Sequence, residues 1–460
     1  MPDVNKIRRF LGVLTEEGWL EPGYVATDRR GNLVSLTGDA PPGDVEQVAG
    51  YALPGFQNGH SHAFQYAMAG LAEHLAGNAD DFWSWREAMY RLALGVSPED
   101  LLAIAAMVYA EMLRHGFTAV AEFHYLHHDK DGTPYAHRAA MADALVEAAR
   151  ETGIRLCLVP IFYRKGDFGK PALPEQRRFL SGSVDAYFGL VEACRGSVST
   201  YDRGSLGVGV HSLRAAEPAE VRAVFNGASD SCPRHIHIAE QRKEVKGCLA
   251  HLGQTPVAWL LDHVPVDART HLVHASHVTE AELFGIAQSG ANVVLCPSTE
   301  GNLGDGFFPL AAFQAAGGSW SIGTDSHIGL SPLEELRWLE YGQRLQLERR
   351  NLLCRNWGDD SGQMLFQQSW RGGRKSVGQS AAVLFAEGEP FDAVVLDGAH
   401  PLLSLRAKER RLATLIFAVD SSALLGTIAG GRWVVEHGRH RHYDAIHARF
   451  QNTVRGLRQP

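Results

Sequence analysis

The chain has 460 residues, 45% of them hydrophobic and 21% charged, with a formal net charge of -8. This composition excludes disorder, collagen and coiled coil, and the negative balance argues against a sequence-independent grip on nucleic acid. At roughly 150 residues per domain the length allows three units, or one α/β barrel of about 250 residues or more beside a smaller domain.

The N-terminus carries Lys6, Arg8 and Arg9, but the apolar patch behind them runs only from Phe10 to Leu14 and meets Glu16 and Glu17. That is not the pattern of a signal peptide. Gly18 to Thr27 and Asn32 to Leu36 flank the turn Asp28-Arg29-Arg30-Gly31 and read as a hairpin. Ala52-Leu53-Pro54-Gly55-Phe56 is a short apolar strand running into Asn58-Gly59-His60. Beyond it strand-like and helical stretches alternate. The further runs are Phe117 to Tyr125, Arg155 to Tyr163, Ser205 to His211, His235 to Glu240, His271 to Ser276, Ala291 to Pro297 and Ser319 to Asp325, which with the strand near Phe56 makes eight. Helical patterns between them include Pro98 to Arg114, Ala136 to Thr152, Ala219 to Asn226 and Thr279 to Ser289.

Mostly apolar runs suit parallel strands covered on both faces. Eight βα units point to a (β/α)8 TIM-type barrel. Short strands return late in the chain: Ala393 to Leu396, Leu415 to Phe417, Leu424 to Ile428 and Arg432 to Glu436. The expected organisation is α/β. Residues 1–52 and 383–460 build a small β-sandwich domain and tail from both termini, and residues 53–382 form the barrel. There is no internal repeat and no low-complexity segment. The most apolar helical run, Leu101 to Leu113, is too short to span a bilayer and contains Glu111. Six cysteines lie far apart (Cys157, Cys194, Cys232, Cys248, Cys296, Cys354), as expected of reduced, mostly buried thiols in the cytoplasm.

The chain holds 22 histidines, and their placement matters. His60 and His62 end the first barrel strand, where a period of two turns both imidazoles to one side. Such a pair alone is weak, because a histidine-rich chain produces it by chance. His235-Ile236-His237 repeats the spacing on the fifth strand, with His237 nearer the C-terminal end and Glu240 three residues on. His274 ends the sixth strand and Asp325 the eighth. Four separate strand ends therefore carry ligand-type residues on the face where barrel enzymes hold their active site. A metal site is preferred to packed core histidines.

This arrangement resembles the amidohydrolase superfamily. The matching text is Leu53 to His62, His235 to Glu240, His271 to His274, Gly323-Thr324-Asp325, and a returning strand from Phe391 to Asp397. Two-metal members usually take a bridging lysine from the fourth strand. Here that strand ends Gly209-Val210-His211-Ser212-Leu213-Arg214. The resemblance therefore implies one divalent metal, zinc or iron, held by His60, His62, His237 and Asp325. It implies a metal-activated water, Asp325 as its base, His274 stabilising the atom that gains charge, and Glu240 passing a proton to the departing nitrogen.

Polar groups stand beside these motifs: Gln65, Arg86 in Asp81-Phe82-Trp83-Ser84-Trp85-Arg86, Tyr125, His211 and Arg214. Two arginines near one mouth suit a substrate with two carboxylates. Together with His60 to Gln65, Ala121 to Asp129 and His211 to Arg214, the segment resembles the formimidoylglutamate deiminase family. That likeness implies hydrolysis of N-formimidoyl-L-glutamate, with Gln65, Arg86, Tyr125, His211 and Arg214 holding the glutamate part, in a cytoplasmic homodimer of histidine degradation. The alternative is another one-metal deaminase acting on a purine, pterin or adenosyl compound. A non-catalytic barrel is disfavoured by the complete ligand set. Neither a membrane nor a nucleic-acid partner is expected.

Other conspicuous residues have plainer readings. His127, His128 and Asp129 read as a solvated turn, and His124 as a packed histidine. His437, His440, His442 and His447 read as a solvated tail. Cys296 lacks an activating base and reads as packing. For Arg86 the substrate role is preferred to the plainer reading of a surface arginine beside Glu87. Residues 350–382 hold Arg371-Gly372-Gly373-Arg374 where an alanine-rich helix is expected.

Overall fold

A computed structural model describes residues 4–73, 82–354, 356 and 358–457, with residues 82–84 given by backbone alone. Asp81 lies outside the described residues. Eight parallel strands surround the barrel in chain order: β1 (Phe56–Ser61), β2 (Phe117–His124), β3 (Arg155–Phe162), β4 (Val208–Val210), β5 (Arg234–Ile238), β6 (Thr270–His274), β7 (Asn292–Leu295) and β8 (Ser319–Ile322). Neighbours pair in parallel from β1 through to β8. Closure is made just past β8. The His62 amide donates to Asp325 O, and the Thr324 and Asp325 amides donate to His60 O, each at 3.1 Å. The residues that close the barrel are thus the ones the metal motif singled out.

Every position of β1, β2, β5, β6 and β7 is buried, as parallel strands under helices must be. The fourth run is not continuous as expected. Gly204–Leu206 pairs with β3, and β4 then pairs with both β3 and β5. Gly207 marks the break, where a Cβ would lie 2.9 Å from Val159 Cγ2.

The helix Pro98–Arg114 matches its expected span. It opens on a capping box in which Ser97 Oγ accepts from the Asp100 amide and Asp100 accepts from the Ser97 amide. The stretch from Ala136 becomes helical only at Ala140. Before Pro98–Arg114 stands α1 (Phe82–Gly95), which leans over the barrel mouth with Arg86. The Arg- and Gly-rich stretch does form a helix, α2 (Ser361–Ser376), packed across the N-terminal ends of β8 and β1. A Cβ on Gly372 would lie 2.0 Å from Trp320 O, and one on Gly373 2.4 Å from Gln57 Cβ. Alanine cannot approach so closely, so glycine lets α2 seal the base of the barrel.

The termini build a second, mixed sheet of nine strands. Val45–Pro54 runs parallel to Lys6–Thr15 and antiparallel to Ala393–Asp397, which is where the two chain ends join. The hairpin expected around Asp28 is present as Gly23–Thr27 against Leu33–Thr37. Leu415 to Phe417 is not a strand. It belongs to the helix Arg411–Ala418, which buries Leu412, Leu415 and Ile416 along one side. A three-residue apolar run carries no period to separate the two cases. Between barrel and sheet, Arg203 Nη2 lies 2.9 Å from Asp392 Oδ1 and Arg155 Nη2 3.4 Å from Oδ2. Burial works to raise the Asp392 pKa, but the two arginines outweigh it and hold the carboxyl below its usual range.

Candidate active site

His60 and His62 at the end of β1, His237 on β5 and Asp325 after β8 meet at the barrel mouth, all buried. His60 Nε2 lies 3.1 Å from His62 Nε2 and 3.0 Å from His237 Nε2. Asp325 Oδ1 lies 3.4 Å from His60 Nε2 and 3.2 Å from His62 Nε2. One ligand atom from each residue falls within 4.8 Å of all the others.

The outer ring nitrogens settle the tautomers. His62 Nδ1 pairs with Phe123 O at 2.9 Å and His237 Nδ1 with His211 O at 3.0 Å. A carbonyl only accepts, so Nδ1 carries the proton in both rings and each Nε2 presents a lone pair. A single His60 proton can satisfy only one of them. Three imidazole nitrogens and a carboxylate oxygen turned on one point form the donor set of a divalent transition metal, and these residues fit one. Burial and the neighbouring His62 push the His60 pKa down to about 3. Burial opposes the Asp325 charge, yet the His60 and His62 rings against it hold its carboxyl well below the ordinary range.

His274 ends β6 beside this cluster. Its Nδ1 lies 3.2 Å from Glu300 Oε1, and its Nε2 lies 3.8 Å from Glu240 Oε1 and 3.7 Å from Asp325 Oδ2. Burial disfavours charge on the ring, but Glu240, Glu300 and Asp325 prevail and push its pKa up to about 10. Burial raises the Glu240 pKa, with His274 and Arg214 pulling against it. The backbone here is strained. Ala239, His274, Ala275, Asp325 and His327 have φ of 51°, 71°, 50°, 46° and 64°. Left-handed non-glycine residues gathered at strand ends are a mark of functional sites.

Gln65, Arg86, Tyr125, His211, Arg214, Glu240, His274 and Asp325 line one cleft with His62 and His237, while His60 lies beneath. Gln65 Nε2 donates to Tyr125 OH at 2.8 Å. Arg214 Nε stands 4.0 Å from Glu244 Oε2. The Glu244 carboxylate also accepts from the Glu240 amide at 3.2 Å, tying the arginine to the loop that carries Glu240. Arg86 lies in the cleft rather than out beside the exposed Glu87.

Sequence reasoning missed Trp85, Met89, Tyr90, Tyr163, Phe179 and Leu303 in the lining, and Glu300 behind His274. Tyr163 closes the third predicted run, and Met89 and Tyr90 lie one helical turn past Arg86, so those three had a signal. Glu300 had one too, because it follows the end of the seventh strand. Phe179 and Leu303 had none.

Several plain readings change. His127 is buried with Nε2 2.9 Å from Ile161 O, and His128 Nε2 lies 2.8 Å from Leu180 O, so both brace the loop instead of facing water. His440 is buried with Nε2 2.9 Å from Thr152 O, while His437 and His442 are exposed. His124 is packed, its ring 4.9 Å from that of His127. Cys296 is packing as expected: fully buried, with burial holding its thiol pKa well above the ordinary value.

Residues 51–434 match the amidohydrolase family. Formimidoylglutamate deiminase of Pseudomonas aeruginosa is 46% identical over 429 residues, which are 93% of this chain and 94% of that protein. A 5-methylthioadenosine/S-adenosylhomocysteine deaminase of Halobacterium salinarum is 27% identical over 71% of this chain and 70% of its own length. The crystal structure of an amidohydrolase from Brucella melitensis superposes with a TM-score of 0.93 at 41% identity, covering 98% of this chain and 100% of that one. That of an adenosine deaminase from Xanthomonas campestris with bound zinc shares the fold, with a TM-score of 0.83 at 22% identity over the whole of both chains. The chain belongs to the amidohydrolase family.

Proposed function

We propose that this protein hydrolyses N-formimidoyl-L-glutamate to N-formyl-L-glutamate and ammonia, acting as a cytoplasmic homodimer in histidine degradation. The observation that carries the reading is the placement of Arg86 and Arg214 in one cleft with His62, His237 and Asp325 of the four-residue metal cluster. The 46% identity to formimidoylglutamate deiminase supports it over nearly the whole chain.

The reaction adds water across the formimidoyl C=N carbon and expels nitrogen as ammonia. His60, His62, His237 and Asp325 would hold one divalent metal, zinc in this reading, which would supply a water acidic enough to ionise near neutral pH. The Asp325 carboxylate, held ionised beside His60 and His62, is the base that takes a proton from water. Ammonia is a poor leaving group unless protonated, and the Glu240 carboxyl, 3.8 Å from His274 Nε2, is placed to deliver that proton. His274 keeps its charge through Glu240, Glu300 and Asp325, and donates from Nε2 to the atom that gains electrons. Arg86 and Arg214 hold the two carboxylates as forked donors. Gln65, Tyr125 and His211 orient the chain between them.

The test is ammonia release by metal-loaded protein from N-formimidoyl-L-glutamate, with guanine, cytosine and S-adenosylhomocysteine in parallel. Turnover of the formimidoyl compound alone is expected. Turnover of a base or adenosyl compound instead overturns the substrate assignment.

A further inference from the structure

Gln176 sits in the short 3-10 turn Pro174–Phe179, fully buried and behind the cleft lining. Its Oε1 accepts from the Leu173 amide at 2.7 Å. A backbone N–H only donates, so this contact decides which end of the side-chain amide is oxygen. Nε2 then donates to Tyr90 OH at 2.8 Å and to Tyr163 OH at 2.7 Å. Both amide protons are used, and both phenol oxygens receive one.

Each phenol still has its own proton to place. Gln176 Nε2 faces both hydroxyls and only donates, so it takes up neither proton. Both are left for the cleft that the two rings line. The charges close by are cationic. Arg86 Cζ lies 5.5 Å from the Tyr90 ring centroid, and Arg214 and Arg86 both act on Tyr163. Hydroxyl donors beside two guanidinium groups suit a carboxylate.

We infer that Gln176 is a positioning residue that turns the Tyr90 and Tyr163 hydroxyls into a donor pair for a substrate carboxylate. The inference rests on the proposed reading and deepens it, because it names side chains that select an acidic substrate over a neutral base. Its logic is one of direction. A glutamine at this place gives protons to the phenols and frees theirs for the ligand. A glutamate would take the phenolic protons and leave the cleft with bare oxygens.

The test uses metal-loaded full-length protein and two readouts. Steady-state kinetics on N-formimidoyl-L-glutamate separates KM from kcat. Calorimetric titration with glutarate, a bare dicarboxylate, needs no turnover. Gln176→Glu is expected to raise KM and the glutarate Kd at least tenfold, with kcat changed less than threefold. Tyr90→Phe and Tyr163→Phe keep the rings and are expected to raise both about fivefold to twentyfold. Tyr163→Phe added to Gln176→Glu is expected to cost less than twofold more, since its donor is already turned away. Glutarate binding unchanged in the three single variants overturns the inference. So does a fall in kcat and melting temperature with KM unchanged, which is the signature of a packing role. A wild-type protein that binds glutarate through Gln176 yet does not turn over the formimidoyl compound upholds the carboxylate site and sinks the proposed reaction.

Discussion

The barrel holds buried histidines in two layers, and the same two strands supply both. At the base, the His235 and His271 rings lie 4.6 Å apart. His235 Nε2 meets Ser376 O at 3.0 Å, and His271 Nδ1 meets Ser376 Oγ at 3.3 Å. At the mouth, His237 and His274 lie 5.5 Å apart, nearly stacked. Burial is complete in both layers, and it pushes His237 toward neutrality like the base pair, but His274 goes the other way. The base pair is pushed toward neutrality, His235 to about 4. His274 is pushed up to about 10. The difference is the carboxylates. The base offers the serine and asparagine of α2 and β7, while the mouth offers Glu240, Glu300 and Asp325. Two or three residues along one strand thus separate a structural histidine from a chemical one.

The sharpest way to break that comparison is to delete a mouth ligand. His237→Ala is expected to lose the bound metal and at least about 10⁴-fold in kcat/KM. After chelation, the variant is expected to melt below the wild type by no more than a few degrees, because loss of the ring's contact with Phe123 is offset by relief of the facing lone pairs. Elemental analysis and calorimetry check both halves. A variant that keeps its metal would mean the four-residue site is wrongly drawn. Next in size is Glu240→Gln, expected to lower kcat about 10²- to 10⁴-fold as a proton carrier is removed, with metal content unchanged. An equal fall in metal content would make Glu240 a ligand instead.

Legibility in the sequence follows the same division. The barrel strands could be read because parallel strands are apolar on both faces. The mouth residues could be read because strand ends put them at countable positions. Gln176 acts from a 3-10 turn whose place depends on how the loop folds back, and no periodicity reports that. His127 and His440 were misread for the same reason. Their carbonyl partners, Ile161 and Thr152, stand 34 and 288 residues away. Gly372 and Gly373 looked like defects in a helix until α2 was seen pressed on Trp320 and Gln57.

Arg214→Lys sharpens the substrate half of the mouth. It keeps a cation near Glu244 but loses the fork, so KM is expected to rise about tenfold with kcat nearly unchanged. An unchanged KM would remove Arg214 from carboxylate recognition.

The smallest effect belongs to the base. His271 has its pKa held well below 6.5, first by burial and then by His235 and Lys375. Ser376, which hydrogen-bonds the ring, and Asn292 and Ser321, which bond Ser376, are neutral, so no carboxylate among them offsets Lys375. The folded state therefore leaves this ring unprotonated where the unfolded chain binds a proton. Its contribution is fully present above pH 6.5 and is lost as pH falls below that value, by up to about 1.4 kcal/mol per pH unit. His271→Gln removes the titrating group. It is expected to cost about 1 kcal/mol at pH 8 through altered packing, and to flatten the acid limb between about pH 6 and 5 by about 1 kcal/mol per unit. Urea titrations at stepped pH read both, and kcat/KM at pH 8 is expected to stay within about twofold, since the ring does not line the cleft. An acid limb as steep in the variant as in the wild type would show that the base does not hold its histidine neutral, and the contrast between the two layers would then rest on geometry alone.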